Sequence, residues 1–304
     1  MSVIGSRFRF TTILGLSFFG LGLGLGAAQP ASTAVTQCGQ VLGAPGNYHL
    51  AQDLGPCTGD GVVITASLVR FTLAGHTLSG ISTQESCDLD NPQYGVSIAA
   101  DTVGVRVSGG TVRGFVDGIV QSGSLSRVTA MSVADNCLWG IAVQGTGNRV
   151  DTSRVSGSDD GISLCEARRA VVEANEVFGN SRFAVSLTCD GTNENLLVRN
   201  ILHDNGLPAG DGGGIAVFNG NQNQILSNAI RGNWDGIWLS ATTGTVVRDN
   251  TANGNLSIGI AVNDASQGNT LRNNTAYGNG LLDLSESNPP GANTWLANLY
   301  LTSN

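Results

Sequence analysis

Aspartates recur at one place in this chain. Asp159 and Asp160 are adjacent ahead of Gly161-Ile162, while Asp117 precedes Gly118-Ile119, Asp235 precedes Gly236-Ile237 and Asp60 precedes Gly61-Val62. Two neighbouring carboxyl groups are the equipment for breaking a glycosidic bond: one protonates the leaving oxygen and the other activates water. Asp159, Asp160 and Asp117 are the candidate catalytic residues. If successive occurrences of this position lie on stacked strands, Asp117 and Asp160 are two layers, roughly 10 Å, apart. That is slightly beyond the ~6.5–9.5 Å used by inverting hydrolases. Asp159, Asp160 and Asp190 also offer oxygen ligands for Ca²⁺. Arg182 and Arg168 offer a base or a clamp for an acidic substrate. The competing reading is that each aspartate bonds local backbone N–H groups and shapes a turn.

The same position also holds aromatics. Between residues 94 and 183 it reads Tyr94, Asp117, Trp139, Asp160, Phe183, so aromatics and carboxylates alternate. Aromatic faces pack on sugar C–H surfaces, and a platform on every second layer suits an extended glycan. Trp234 and Trp238 flank Asp235, and strand alternation turns Trp238 outward. Tyr94, Trp139, Phe183, Trp234, Trp238 and Arg182 are therefore the candidate carbohydrate-binding residues. Alternatively, Tyr94, Trp139 and Phe183 fold inward under loops.

The element that positions these residues is a repeat. A small residue, then Ile or Val, any residue, and a second aliphatic residue recur from Gly95-Val96 through Gly118-Ile119, Gly140-Ile141, Gly161-Ile162, Ala184-Val185, Gly214-Ile215 and Gly236-Ile237 to Gly259-Ile260. The steps are 23, 22, 21, 23, 30, 22 and 23 residues. Apolar–any–apolar is a half-buried strand, and a constant step stacks such strands in register. Two asparagine columns keep the same step: Asn175, Asn200, Asn228, Asn250, Asn274 and Asn298, and then Asn136, Asn180, Asn205, Asn233, Asn255 and Asn279. Asn and Gly tolerate the left-handed conformation of a sharp corner, and stacked Asn amides can bond from layer to layer. A leucine-rich repeat has a similar period but needs several Leu per repeat and a helical back. The pattern predicts an all-β solenoid, a single-stranded right-handed parallel β-helix of about ten coils. Residues 38–57 are expected to cap its N-terminal end, and 293–304 to form a last partial coil with Trp295 over the core. Two repeats are stretched, by residues 81–94 and within 188–213, and long loops on a rigid scaffold often carry function.

Composition fits a solenoid. Gly numbers 43 and Pro 7, hydrophobic residues make up 41% and charged residues 12%, too apolar for disorder and too Gly-rich for helices. All 15 basic residues are Arg, which removes Lys as a Schiff-base former. The formal charge of −8 becomes −10 if Arg7 and Arg9 are removed, so nucleic acid is an unsuitable partner. Residues 1–34 read as a signal peptide: Arg7 and Arg9, an apolar stretch from Phe10 to Ala28, and small residues Ser32-Thr33-Ala34. The mature domain is then 35–304, secreted to the periplasm or the exterior, with no stable membrane insertion after cleavage. The oligomeric state is not readable. Six cysteines in an exported chain predict disulfides. Cys38 and Cys57 flank one short segment. Cys165 and Cys189 are 24 residues apart, about one coil, where Cα atoms suit a disulfide. Cys87 and Cys137 remain as the third pair.

The stretch Gly59-Asp60-Gly61-Val62-Val63-Ile64 with Phe71-Thr72-Leu73-Ala74-Gly75-His76-Thr77-Leu78-Ser79-Gly80, and the Asn-x-x-x-Asn-x-Ala-x-Gly-Asn repeats, resemble the parallel β-helix repeat superfamily over roughly residues 38–301. That group includes pectate lyase-like, polygalacturonase-like, alginate epimerase and NosD-type proteins. The resemblance implies a carbohydrate-binding or sugar-processing surface. Asp159-Asp160-Gly161 resembles the adjacent aspartates of polygalacturonases, but the Gly-His-Gly and Arg-Ile-Lys motifs of that group, and the Asp-Pro-His-Glu motif of the epimerases, are absent. The NosD likeness raises copper, for which two Met and three scattered His are a poor set. Two functions stay open: a polysaccharide lyase or hydrolase, with Ca²⁺ as its candidate cofactor, and a non-catalytic surface or envelope binding protein.

Overall fold

Each coil of the chain contributes three short strands separated by tight corners. A computed structural model describes residues 31–207, 210–263 and 265–304, so the signal-peptide reading of residues 1–30 lies outside it. Strands at one place in the repeat pair in parallel through an 11-stranded sheet, from Gln40–Leu42 to Leu282–Glu286. These strands reach nine residues, in Asp160–Arg168, and are called the long-strand sheet below. The other strands, mostly of three residues, stack into a second and a third wall. These two walls count as one 20-stranded sheet because Arg106–Arg113 and Arg127–Ala134 run unbroken around the corner between them. The result is a right-handed parallel β-solenoid of eleven turns, one more than the expected ten.

The central residue of each strand points inward. Register stacks Phe71, Val107, Val128, Val150, Val172, Leu197, Ile225, Val247 and Leu271 in the second wall. Leu78, Val112, Val133, Val155, Val177, Leu202 and Ile230 stack in the third. All are buried, and together with the Val and Ile column of the long-strand sheet they form one continuous core. Every coil therefore buries its apolar stripe against the next, which one coil alone cannot do.

The corners differ from expectation in an instructive way. The left-handed residue is not the ladder asparagine but the one before it: Ala174, Arg199, Ser227, Asp249, Asn273 and Ala297 along one corner, and Gly179, Asp204, Gly232, Gly254 and Gly278 along another. This frees the asparagine to turn its amide inward. The N–H and Nδ2 of Asn200 both donate to Asn228 Oδ1 at 2.9 Å, and its Nδ2 also reaches the Val172 carbonyl. Asn228 repeats this toward Asn250, and Asn250 toward Asn274. Buried polar groups are tolerated because they are bonded. A third column escaped sequence reading: Asn148, Asn195, Asn223, Asn269 and Asn293 line the remaining corner. Ala170 and Thr245 interrupt it and hide its period.

At the N-terminal end, Ser32–Val35 is already a strand, paired with Asn47–Leu50, and Val35 is fully buried. The folded unit starts at Ser32, so a cut after residue 34 would remove most of this strand. Residues 38–57 are themselves a coil, with Gln40–Leu42 in the long-strand sheet and Gly46–Leu50 in the second wall. At the other end Thr294–Leu296 and Leu299–Tyr300 form the last partial turn, with Trp295 packed on the core. Three disulfides staple the coils: Cys38–Cys57, Cys87–Cys137 and Cys165–Cys189.

Candidate functional site

The residue ahead of each inward aliphatic pair stands at the edge of the long-strand sheet, and register confirms one column. Tyr94 pairs with Asp117, Asp117 with Trp139, Trp139 with Asp160, and Gly213 lies between Phe183 and Asp235. The aspartates in it share one bond. Asp60 Oδ1 accepts from the Tyr94 N–H at 2.8 Å, Asp117 Oδ1 from Trp139 at 3.2 Å, Asp160 Oδ1 from Phe183 at 3.2 Å, and Asp235 Oδ1 from Ile258 at 2.9 Å. Each carboxylate caps the first strand N–H of the next coil.

This capping is costly in charge. Asp117 is 4% exposed, and burial pushes its pKa up to about 6, against the pull of the Trp139 N–H. Asp160 is also raised by burial, although the Ser186 hydroxyl, the Phe183 N–H and Arg182 pull the other way. Its Oδ2 accepts from Ser186 at 2.7 Å, and Ser186 reaches Ser163, so both carboxylate oxygens are engaged. Asp235 is raised by burial and by Asp211. Asp159 differs: half-buried, it accepts from Ser181 Oγ at 2.7 Å and lies 3.7 Å from the exposed Arg182 guanidinium.

Two chain insertions enter at this edge, at the corner from the third wall. The first, between Thr77–Ser79 and Tyr94–Ile98, runs along the axis, tied by Cys87–Cys137 and by Gln84 Nε2 donating to the Gly157 carbonyl. It walls a groove of about 810 Å³ lined by Gln84, Glu85, Arg113 and Asp135. The second precedes Gly213–Phe218. Its Gly212 lies so close to Arg182 that a Cβ would come within 2.3 Å of the carbonyl oxygen, and Gly210 lies against the Trp234 indole. The first insertion runs beside the entry of the strands Asp117–Gln121, Trp139–Thr146 and Asp160–Arg168, and the second enters one coil beyond Phe183–Leu187. The stretched repeat at 188–213 also holds a third, shorter insertion at the opposite end of the sheet, between Phe183–Leu187 and Leu196–Val198, because Val171 to Leu196 is long as well as Leu196 to Gln224.

The candidate residues divide. Tyr94 and Trp139 are half-buried in the column and keep a solvent-facing surface. Phe183, expected on the binding surface, is only 2% exposed, lying against Phe218 at 6.0 Å and under Arg182 at 5.3 Å. Trp238 does point outward but packs edge-on against Phe218 at 5.2 Å. Alternation in the strand after Gly214 placed Phe218 on this face, the one signal for it in the sequence. Trp234 is half-buried against the second insertion. Two expectations fail on geometry. Arg168 ends the strand Asp160–Arg168 and Asp190 follows the strand Phe183–Leu187, both roughly 20 Å along the sheet from Asp159 and Asp160. Arg168 pairs there with Glu194. Asp159, Asp160 and Asp190 do not converge on Ca²⁺, and no group of three or more His, Cys, Asp and Glu is placed for a metal among the described residues.

Residues 139–298, just over half of the chain, match the model of the right-handed beta helix region. The chain belongs to the right-handed beta helix family. Residues 56–211 of this β-helix protein match a second model, the periplasmic copper-binding protein (NosD), also over just more than half, so it belongs to that group too. The copper of that description finds no donor set among the described residues. All six cysteines are in disulfides, and Met131 is 3% exposed. His49, His76 and His203 stand apart, bonded to Ser32, to Asp53, and to Asp204 with Glu176. Among solved structures, Dettilon tailspike protein superposes with TM-score 0.67 at 18% identity over 88% of this chain. The present chain spans 61% of that tailspike. The A-module of an Azotobacter vinelandii mannuronan C-5 epimerase gives 0.65 at 14% identity, over 89% of this chain and 84% of the module. DFA-IIIase from Arthrobacter chlorophenolicus A6 gives 0.61 at 16% identity, over 84% and 74%. At these identities the likeness is one of fold. No curated protein matches the sequence.

Proposed function

We propose that this is an exported polysaccharide-binding protein whose long-strand face receives an extended glycan alongside the two insertions. The observation that carries the reading is the column itself: Tyr94 and Trp139 alternate with aspartates whose charge is tied to the scaffold, beside the solvent-facing pair Asp159 and Arg182. Capped aspartates rigidify the edge on which the aromatic platforms stand. Three disulfides fit an oxidising compartment, periplasmic or extracellular. The solved relatives named as an epimerase and DFA-IIIase agree with a carbohydrate ligand. The test is retention on a panel of immobilised acidic and neutral glycans. Trp139→Ala and Arg182→Ala are expected to release the glycan that the unaltered chain retains. Retention unchanged by both substitutions rejects the reading.

A catalytic reading has one observation in its favour. A carboxyl group with a pKa of about 6, such as Asp117 beside Trp139, is part-protonated near neutral pH and suits a general acid. Lyase or hydrolase chemistry on a uronic-acid polymer would then use Asp117 with Asp159 or Asp160. Product release lost in Asp117→Asn and Asp160→Ala supports it. No product from any uronic-acid polymer, with or without Ca²⁺, excludes it.

A further inference from the structure

The N-terminal half of the second wall stacks four arginines. Register pairs Arg70 with Arg106, Arg106 with Arg127, and Arg127 with Arg149. One outward position therefore carries a guanidinium in four successive coils, roughly 4.8 Å apart. Like charges directly opposite on neighbouring strands repel, and part of this column is compensated. Asp151 binds both Arg127 Nε, at 2.6 Å, and Arg149 Nε, at 2.8 Å, and Arg149 also reaches Glu173. Arg70 and Arg106 are exposed and have no carboxylate partner among the described residues. The chain has 23 acidic residues and a net charge of −8, so two adjacent uncompensated arginines are not a shortage of carboxylates.

The surroundings narrow the ligand. The next outward position carries half-buried hydroxyls beside Arg70 and Arg106, Thr72 and Ser108, whereas Thr129 beside Arg127 is buried and donates its hydroxyl to Asp151. Leu68, Val103 and Leu125, at the corner ahead of the column, are 65%, 43% and 65% exposed. Guanidinium forks match carboxylates in a bidentate manner, hydroxyls match sugar hydroxyls, and exposed aliphatic groups match C–H faces. The basic strip is one residue wide, too narrow for a membrane surface or a duplex, and its donors recur at a constant rise along the axis.

We propose that Arg70 and Arg106, the uncompensated end of the column, form a second binding site, for a single chain of a carboxylated polysaccharide laid along the solenoid axis. It lies on a different wall from the aspartate–aromatic column and stands or falls independently of it. The test uses the full chain with polygalacturonate and alginate as probes, dextran as the neutral control, and affinity measured at stepped salt concentrations. The variant Arg70→Gln/Arg106→Gln is expected to lose about tenfold or more in affinity for the polyuronates and to flatten the salt dependence by about two charges. Arg70→Lys/Arg106→Lys keeps the salt slope but binds more weakly, because the bidentate fork is lost. Arg231→Gln, which removes an exposed arginine of the third wall, leaves this binding unchanged, so the loss belongs to the column and not to net charge. The proposal is overturned by unaltered affinity in the Gln variant, by equal binding to dextran, by no binding of either polyuronate, or by stronger binding to phosphatidylserine vesicles or polyphosphate.

Discussion

Asp117→Asn separates a scaffold carboxylate from its charge. The side chain is 4% exposed and accepts the Trp139 N–H through Oδ1, and burial takes its pKa from 3.8 to about 6. Each unit is worth about 1.4 kcal/mol, so a shift of about two units corresponds to about 3 kcal/mol. The folded chain holds this proton more tightly than the unfolded chain does. Between pH 3.8 and about 6 the folded state therefore carries more protons, and stability falls as pH rises, the full penalty being present above about pH 6. Asparagine keeps the accepting oxygen and removes the charge. Asp117→Asn should stabilise the fold by up to about 3 kcal/mol at pH 8, which is roughly a 6–12 °C rise in melting temperature for a domain of this class. The gain should vanish by pH 3.5, where the aspartate is protonated in both states. Thermal melts of both proteins from pH 3.5 to 8 check this. A difference independent of pH, or a loss of stability at pH 8, would refute the burial argument.

Asp151 predicts the opposite trend. Burial raises it, but hydrogen bonds from Arg127, Thr129 and Arg149 outweigh that and bring it to about 2. Asp151→Asn should therefore cost about 2 kcal/mol at pH 7, a cost that fades as the pH falls from 3.8 toward 2, by denaturant titration across pH. Asn228→Ala orphans the Asn200 N–H and one of its Nδ2 hydrogens in the interior and should cost about 2–4 kcal/mol, seen as a lowered denaturation midpoint. Cys165→Ser/Cys189→Ser opens a loop of sequence separation 24 and should cost about 3 kcal/mol, with the added loss of heat resistance measured by calorimetry.

The long-strand sheet was legible because its period is nearly constant and its small–aliphatic signature is repeated without gaps from residue 95 to 260. The aspartate–aromatic column was legible for the same reason. What those aspartates do was not, since a side chain that bonds the next coil leaves no local trace, and only the stacked backbone shows the Phe183 and Ile258 N–H groups meeting Asp160 and Asp235. The burial of Phe183 was equally hidden, because it depends on Phe218 arriving from the neighbouring coil. The arginine column escaped notice because the first insertion stretches the step from Arg70 to Arg106 to 36 residues, while the next two steps are 21 and 22.

The asparagine ladders have a direction. In each, the backbone N–H and one Nδ2 hydrogen donate toward the following coil and Oδ1 receives from the preceding one, from Asn175 to Asn298 and from Asn180 to Asn279. Amide dipoles aligned head to tail sum, as they do along an α-helix, and leave a positive pole where the donors run out. Acids stand at that pole: Asn279 gives both donors to Asp283, and Asn293 gives its Nδ2 to Glu286. The solenoid is thus vectorial, with an electrically distinct head and tail built from asparagine amides and their backbone N–H groups. A coil spliced in after residue 300 has to supply acceptors and displace those acids, whereas one spliced in at the front has to supply N–H groups.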